Sequence, residues 1–456
     1  MTVWMGGFPD RGWLEKEVML QQHGISADHN PYMMWRKSME SSQEAGMLSP
    51  YRVLDLTDER GILCGKILAD LGADVIQVEP PGGNTARRMG PFYHQEVHPD
   101  RSLFWWAYAA NKRSITLDLT THDGQALLKR LVKSADFLIE SSAPGELAAL
   151  GLGYDALAAI HPALIYVSIT PFGQDGPYSA YKATDLVGMG MAGFMYVTGD
   201  PDRPPLRVGY PHFYLHGAGV GATGAMVAHA QRTLTGEGQY VDVSCQEAVA
   251  RALASAPQNY VMAETIISRQ GSYRQTGSGT FMRITWPCKD GYVNFQLSGS
   301  SGSGRSVNQL VCWMAEEGMG DAYLESLDFT QFGYGSITQE LLERVVPPIE
   351  RFMLSHTKQE LFEGAVARRV LMFPVATARD IVENPQLAAR QYFQNTTHPE
   401  LGTPVTFLGP FVQASATPLQ LRRFPPKLGE HNTSIYVDEL QLTHKELAHL
   451  REAGII

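Results

Sequence analysis

The residues of this chain best placed to do chemistry sit in loops that lead into helices of small or apolar residues. Asp185 closes the run Tyr181-Lys-Ala-Thr-Asp185, after the loop Pro171-Phe-Gly-Gln-Asp-Gly-Pro177, and opens an apolar helix. A carboxylate there is either a helix N-cap, a position that favours aspartate, or a nucleophile or base. The local pattern favours the cap. His212 and His216 are the only close histidine pair near other polar groups, and two ligands without a third do not build a metal site. Glu79 ends a strand where a ribose-binding acid would sit. The turn before it, Asp58-Glu-Arg-Gly-Ile-Leu-Cys-Gly65, nevertheless reads G-x-x-x-G in place of G-x-G-x-x-G, so a dinucleotide cofactor is not expected. No G-x-S-x-G follows a strand, which disfavours a serine hydrolase.

The elements that must position these residues alternate in type. An apolar strand, Arg52-Val-Leu-Asp-Leu56, precedes a helix to residue 71 and a second strand, Asp74-Val-Ile-Gln-Val-Glu79. Ile115-Thr-Leu-Asp-Leu119, a helix over 124–133, Phe137-Leu-Ile-Glu140, a helix over 154–160 and Leu164-Ile-Tyr-Val-Ser-Ile169 continue the series. Such alternation predicts an α/β domain with a mostly parallel sheet covered on both faces. Residues 217–234 read as a helix rich in Gly and Ala that permits close backbone approach to a ligand or another helix. The strand Gln239-Tyr-Val-Asp-Val243 and a long helix to about 264 come next.

At 456 residues the chain exceeds the size at which one core stops growing, so two domains are expected. Beyond 268 the texture shifts to Gly/Ser-rich turns, Gly277-Ser-Gly279 and Ser298-Gly-Ser-Ser-Gly-Ser-Gly304, around the strand Gly291-Tyr-Val-Asn-Phe-Gln-Leu297. Helices are expected over 339–353, 358–368 and 378–383. The expected division is an arm over 1–46, a large domain over 47–265 completed by 415–456, and a small domain over 266–414. The arm holds Trp4, Trp13 and Trp35; either it packs on a neighbouring subunit or Met47 is the true start. The formal net charge of −10 argues against nucleic acid as a partner, since phosphate binding needs a concentrated basic surface. No run of 18 apolar residues predicts a membrane span, and the first residues do not spell a secretory signal. Cys64, Cys245, Cys288 and Cys312 are far apart and read as reduced thiols, so a cytoplasmic location is expected.

Several stretches together resemble one family. Val53-Leu-Asp-Leu56, Leu68-Ala-Asp-Leu-Gly-Ala-Asp-Val-Ile-Gln-Val-Glu-Pro-Pro-Gly-Gly83 and Asn111-Lys-Arg-Ser-Ile-Thr-Leu-Asp-Leu119 are similar to the class III CoA-transferases, which include the formyl-CoA, carnitine and benzylsuccinate transferases and related acyl-CoA racemases. Gly151-Leu-Gly-Tyr154, Ile169-Thr-Pro-Phe-Gly-Gln-Asp-Gly-Pro-Tyr178, Thr235-Gly-Glu-Gly-Gln-Tyr-Val-Asp-Val243 and Leu428-Gly-Glu-His-Asn432 extend the likeness from about Tyr51 to the carboxyl terminus. The resemblance implies a Rossmann-like large domain, an inserted α+β domain, and two subunits interlocked as a dimer. It implies a coenzyme A thioester as substrate, a carboxylic acid as acceptor, and no permanently bound cofactor. CoA contacts would fall at Glu59, Leu117, Ser141, Ser142, Leu150 and Lys182.

In these transferases an aspartate attacks the donor thioester to give an anhydride, then an aspartyl-CoA thioester, and passes CoA to the acceptor acid. Counting back from Gly224-Ala-Met-Val-Ala228 places Tyr214 at that position. A phenol with an ordinary pKa near 10 is almost wholly protonated at neutral pH and is a poor substitute. Ser141-Ser-Ala-Pro-Gly145 replaces the family's Asn-aromatic-Arg-Pro-Gly, and Ala149 stands where an arginine often holds the nucleotide, so two cations are lost. Thr184 replaces the histidine that precedes the aspartate in the racemases. The chain is therefore expected to be the aspartate-lacking subunit of a heteromeric transferase, as in the benzylsuccinate branch that the His212-Phe-Tyr-Leu-His216 context resembles, with succinyl-CoA as donor. The alternatives are a self-sufficient transferase using Asp185 and a non-catalytic CoA-binding or assembly subunit.

Overall fold

The structure is a computed structural model that describes residues 46–275, 279–297, 299–300, 302–333, 336–398 and 401–456. The arm expected over 1–46 lies outside the described residues except for Gly46, as do Gly277, Ser278, Ser298 and Ser301 of the Gly/Ser-rich turns.

Six strands form one sheet: β1 (Arg52–Asp55), β2 (Asp74–Glu79), β3 (Lys112–Thr116), β4 (Phe137–Glu140), β5 (Ile165–Thr170) and β6 (Tyr240–Ser244). Their order is β3-β2-β1-β4-β5-β6, and every neighbouring pair is parallel. From β1 the chain winds outward to one side and then returns to build the other. This is the doubly wound, Rossmann-like order, with its switch point between β1 and β4. All residues of β1 to β5 are buried, as strands covered by helices on both faces must be.

One face of the sheet packs Leu54, Ile76, Leu138 and Tyr166 against helix His122–Val132 and the last segment of the chain, including Ile435, Tyr436 and Ile456. That segment is tied to the edge strand by polar bonds. Asn432 accepts the Thr116 N–H at 2.9 Å and donates to the Thr116 hydroxyl at 2.8 Å, and Tyr436 donates its hydroxyl to the Thr116 carbonyl at 2.8 Å. The Leu428-Gly-Glu-His-Asn432 stretch is thus a clasp on β3. Gly429 takes a positive φ of 63° there and donates its N–H to the Ser114 hydroxyl at 3.0 Å.

On the other face, helices Ile62–Asp70 and Phe213–Thr235 approach each other and the sheet closely. A Cβ on Gly217 would lie 2.2 Å from Cys245 Sγ, and one on Gly221 would lie 2.9 Å from Ile169 Cδ1. The small residues of the second helix therefore serve close packing. The long helix expected up to 264 is two helices, Cys245–Ala252 and Ser255–Ala263, separated at Leu253 and Ala254.

The chain divides into two compact units. The larger comprises the described residues up to Gly188, Pro211–Arg251 and Gln391–Ile456; the smaller comprises Met189–Tyr210 and Ala252–Arg390. These divisions differ from the expected ones: 189–210 and 252–265 fall to the smaller unit and 391–414 to the larger. Residues 391–414 fall to the larger unit because Phe407, on strand Pro404–Leu408, is buried with Ile62, Trp105, Trp106 and Ala109. The smaller unit has an antiparallel sheet of Thr285–Cys288, Gly291–Phe295 and Met372–Pro374. Helices Ser303–Glu316, Gln339–Ser355 and Lys358–Arg368 cover it around a core that includes Trp286, Trp313 and Phe352.

Candidate active site

In open α/β sheets ligands bind beyond the carboxyl ends of the strands at the switch point, which here is the mouth formed by the segments following β1 and β4. The first of these is held from below by a buried ion pair. Lys112 Nζ lies 2.7 Å from Asp55 Oδ2 and donates also to the Ile62 carbonyl and Gln77 Oε1, each at 3.0 Å. Asp55 Oδ1 accepts the Thr57 N–H and hydroxyl, while Gln77 Nε2 and Asn84 Nδ2 both donate to the Thr57 carbonyl at 2.8 Å. Gly65 completes the seat, since a Cβ there would lie 1.9 Å from Asp55 Oδ2. Gly65 of this G-x-x-x-G therefore seats the helix on an ion pair.

Above this seat Asp58 meets the segment after β4. Its N–H donates to Ser141 Oγ at 3.0 Å, and the Ser141 hydroxyl donates back to Asp58 Oδ1 at 2.9 Å. Arg60 forks onto the Asp58 carboxylate at 2.6 to 2.9 Å. Glu59 is half-buried and accepts the Thr85 hydroxyl. Ser142 donates its N–H to Glu140 Oε2 at 2.6 Å. Burial pushes the Glu140 carboxyl up to about 7, against the opposing pull of its bonds with Ser168 and Ser142.

Tyr214 lies in the first turn of helix Phe213–Thr235, half-buried, within the electrostatic reach of Arg60, Cys245, Asp58 and Glu59. Its hydroxyl donates to the Ala183 carbonyl at 2.6 Å. Burial raises its pKa above the ordinary phenol value, outweighing the opposite effect of Arg60. The group at this position is a protonated hydrogen-bond donor.

Asp185 opens helix Asp185–Met191, yet its carboxylate serves a different helix. Oδ1 accepts the backbone N–H groups of His212 at 2.7 Å and Phe213 at 2.9 Å, the first donors of the helix that carries Tyr214. Gly188, one turn on, lets the Phe213 ring lie flat on the backbone, where a Cβ would come within 2.4 Å of it. The Asp185 carboxylate and the Ala183 carbonyl thus hold the same helix start, through the His212 and Phe213 N–H groups and the Tyr214 hydroxyl.

Of the other sequence-nominated residues, Ser141, Ser142 and Glu59 come together at the switch point. Leu150 is half-buried against the core. Lys182 stands exposed in the loop before Asp185. Leu117 is only 2% exposed within the apolar core, so its side chain offers a ligand no surface. Sequence reading passed over Arg60, Glu140, Gln174 and Tyr240. Glu140 was legible as the last residue of a strand beside the switch point; the electrostatic reach of Arg60 to Tyr214 was not, because it joins positions far apart in sequence. Beside Glu140 opens a cavity of about 390 Å³, lined also by Gln174 and Tyr240. Among the described residues no three His, Cys, Asp or Glu side chains group as metal ligands, and no helix is long and apolar enough to cross a membrane.

A doubly wound sheet whose switch-point segments are joined by hydrogen bonds, together with an inserted second unit, defines an α/β protein of Rossmann-like class. The chain belongs to CoA-transferase family III, whose model matches residues 48–432. It is 35% identical over 392 residues to the succinyl-CoA:(R)-benzylsuccinate CoA-transferase subunit BbsE of Thauera aromatica, covering 86% of this chain and 93% of that protein. It is 33% identical to the succinyl-CoA–D-citramalate CoA-transferase of Chloroflexus aurantiacus, covering 92% of this chain and 100% of that enzyme. Among solved structures, a CAIB/BAIF family protein from Brucella suis superposes with a TM-score of 0.74 at 28% identity, covering 87% of this chain and 100% of that one. The protein is a CoA-transferase, and CoA thioesters are its substrate class.

Two outcomes follow from the site. Asp185→Ala removes the acceptor for two helix-start N–H groups and should lower unfolding stability by about 0.5–2 kcal/mol in urea titrations, with Asp185→Asn losing less. Glu140 ionises at about 7 in the fold against an ordinary 4.5, so the folded state binds the extra proton and loses stability as pH rises through that window. Relative to Glu140→Gln, the wild type should therefore become progressively less stable between pH 4.5 and about 7, and a constant difference across those pH values would contradict the assignment.

Proposed function

We propose that this chain is the subunit without a nucleophilic carboxylate in a heteromeric CoA-transferase, in which a homologous subunit supplies the aspartate. The donor is succinyl-CoA and the acceptor an aryl- or alkyl-substituted succinate. The observation that carries this reading is Tyr214: where a carboxylate would attack the thioester carbonyl, a protonated phenol is spent on the Ala183 carbonyl. Attack by a phenol requires loss of its proton, and burial makes that loss harder. The likeness to a benzylsuccinate CoA-transferase subunit and to a succinyl-CoA–D-citramalate transferase supports the choice of donor and acceptor.

Asp185 offers no ready replacement, because Oδ1 already accepts two backbone donors and the helix under Tyr214 depends on it. In this reading Asp185 is a positioning residue. The CoA thioester lies along the switch-point mouth near Glu59, Ser141, Ser142 and Leu150, with Lys182 reaching it from the loop. Leu117 acts only as core support beneath.

The purified chain alone should transfer no CoA from succinyl-CoA to benzylsuccinate, while co-expression with a homologous aspartate-bearing subunit should restore transfer. Transfer at enzyme-like rates by the isolated chain would refute the proposal. In the same assay Tyr214→Asp should acquire a covalent CoA adduct at residue 214, visible by intact mass and peptide mapping, because the variant restores the attacking carboxylate alone.

A further inference from the structure

The order of the sheet leaves β3 at one edge, with no strand on its outer side. A bare edge offers a template to any other extended chain. Here the carboxyl-terminal clasp takes the place of a strand. Asn432 Oδ1 accepts the Thr116 N–H, the Tyr436 hydroxyl donates to the Thr116 carbonyl, and the His431 N–H donates to the Ser114 carbonyl at 2.9 Å. The Ser114 N–H in turn donates to His431 Nδ1 at 3.2 Å.

That last bond fixes a protonation state by geometry. A backbone N–H can only donate, so Nδ1 accepts and the ring is neutral, with its proton on Nε2. An imidazolium carries protons on both nitrogens and cannot accept. Protonation of His431 therefore leaves the N–H of Ser114, a fully buried residue, without its acceptor. Four charged groups lie within electrostatic reach of the ring: the cations Arg113 and Arg423, and the anions Asp74 and Glu430. Both anions already accept other donors, Asp74 from Arg52 and Arg113 and Glu430 from the Lys427 N–H. Burial, with the two arginines acting in the same direction, lowers the His431 pKa below the ordinary imidazole value.

We infer that His431 is a proton-operated latch on the edge of the sheet: neutral, it holds the carboxyl-terminal segment over β3, and protonated, it releases the Ser114 N–H and uncovers the strand. Because the folded-state pKa lies below the ordinary 6.5, the latch contributes fully above that value and is lost as pH falls through the folded-state pKa.

Hydrogen exchange of the full-length chain, read by mass spectrometry on peptides covering 112–117 between about pH 7.5 and 5, tests this. After correction for intrinsic exchange rates, wild-type protection should hold down to about pH 6.5 and then fall by up to about tenfold per pH unit, the slope for uptake of one proton. His431→Asn places an oxygen acceptor where Nδ1 stood and cannot titrate, so its protection should fall less over the same range. The comparison cancels the other groups that titrate there, Glu140 included. A parallel decline in wild type and His431→Asn would overturn the latch, as would a decline that spreads equally to helix His122–Val132, because the opening would then be global. His431→Ala offers no acceptor at any pH and should lose about tenfold or more of the protection in 112–117 already at about pH 7.5. Wild-type protection in that variant would equally overturn the latch.

Discussion

The buried pair of Lys112 and Asp55 is the constraint on which the site depends. Both side chains are fully buried, and burial alone lowers the lysine pKa, so the charge persists in the core only because Asp55 and two neutral acceptors surround it. Each bond around it fixes another piece of backbone. Ile62 begins the first helix, Thr57 turns the chain out of β1, and Gln77 and Asn84 brace that turn from β2 and its following loop. With the turn fixed, Asp58 reaches Ser141 across the switch point and Arg60 comes within electrostatic reach of Tyr214. Breaking one partner of such a pair typically costs about 3–5 kcal/mol, because an uncompensated charge is left in the core.

A second constraint acts on the helix that bears Tyr214. Its start is fixed by a carboxylate from another segment, its flank by glycine contacts with Cys245 and Ile169, and Tyr214 itself by the Ala183 carbonyl. In the proposed reading this helix would aim a nucleophile, and at Tyr214 it carries a protonated hydrogen-bond donor. Retention of scaffold with loss of the reacting group fits a division of labour between homologous subunits, in which one subunit keeps recognition and geometry and the other does the covalent chemistry.

The segment Ser141-Ser-Ala-Pro-Gly145 and Ala149 carry no cation, and the neighbouring cavity is walled by tyrosines and carboxyl groups. Glu140 remains there with its ionisation raised close to neutrality.

The sequence by itself determined the α/β alternation, the parallel sheet and the family. Those are properties of periodicity and of contiguous motifs: apolar runs such as Phe137-Leu-Ile-Glu140 and stretches such as Leu68 to Gly83 are read within one element. The proposal about Tyr214 also began in the sequence, as a residue type read at a position counted within one stretch. Only the tertiary structure decided what Asp185 does, since its partners His212 and Phe213 lie 27 and 28 residues away and a local pattern suggests a cap for its own helix. The same holds for Leu117, whose place in the core depends on helices and a carboxyl-terminal segment that converge on β3. The pocket of Glu140, Tyr154, Tyr166 and Tyr240 likewise exists only where four segments meet beside the sheet. Side chains brought together by sheet order leave no spacing in the chain, so their chemistry becomes visible only once the fold is formed.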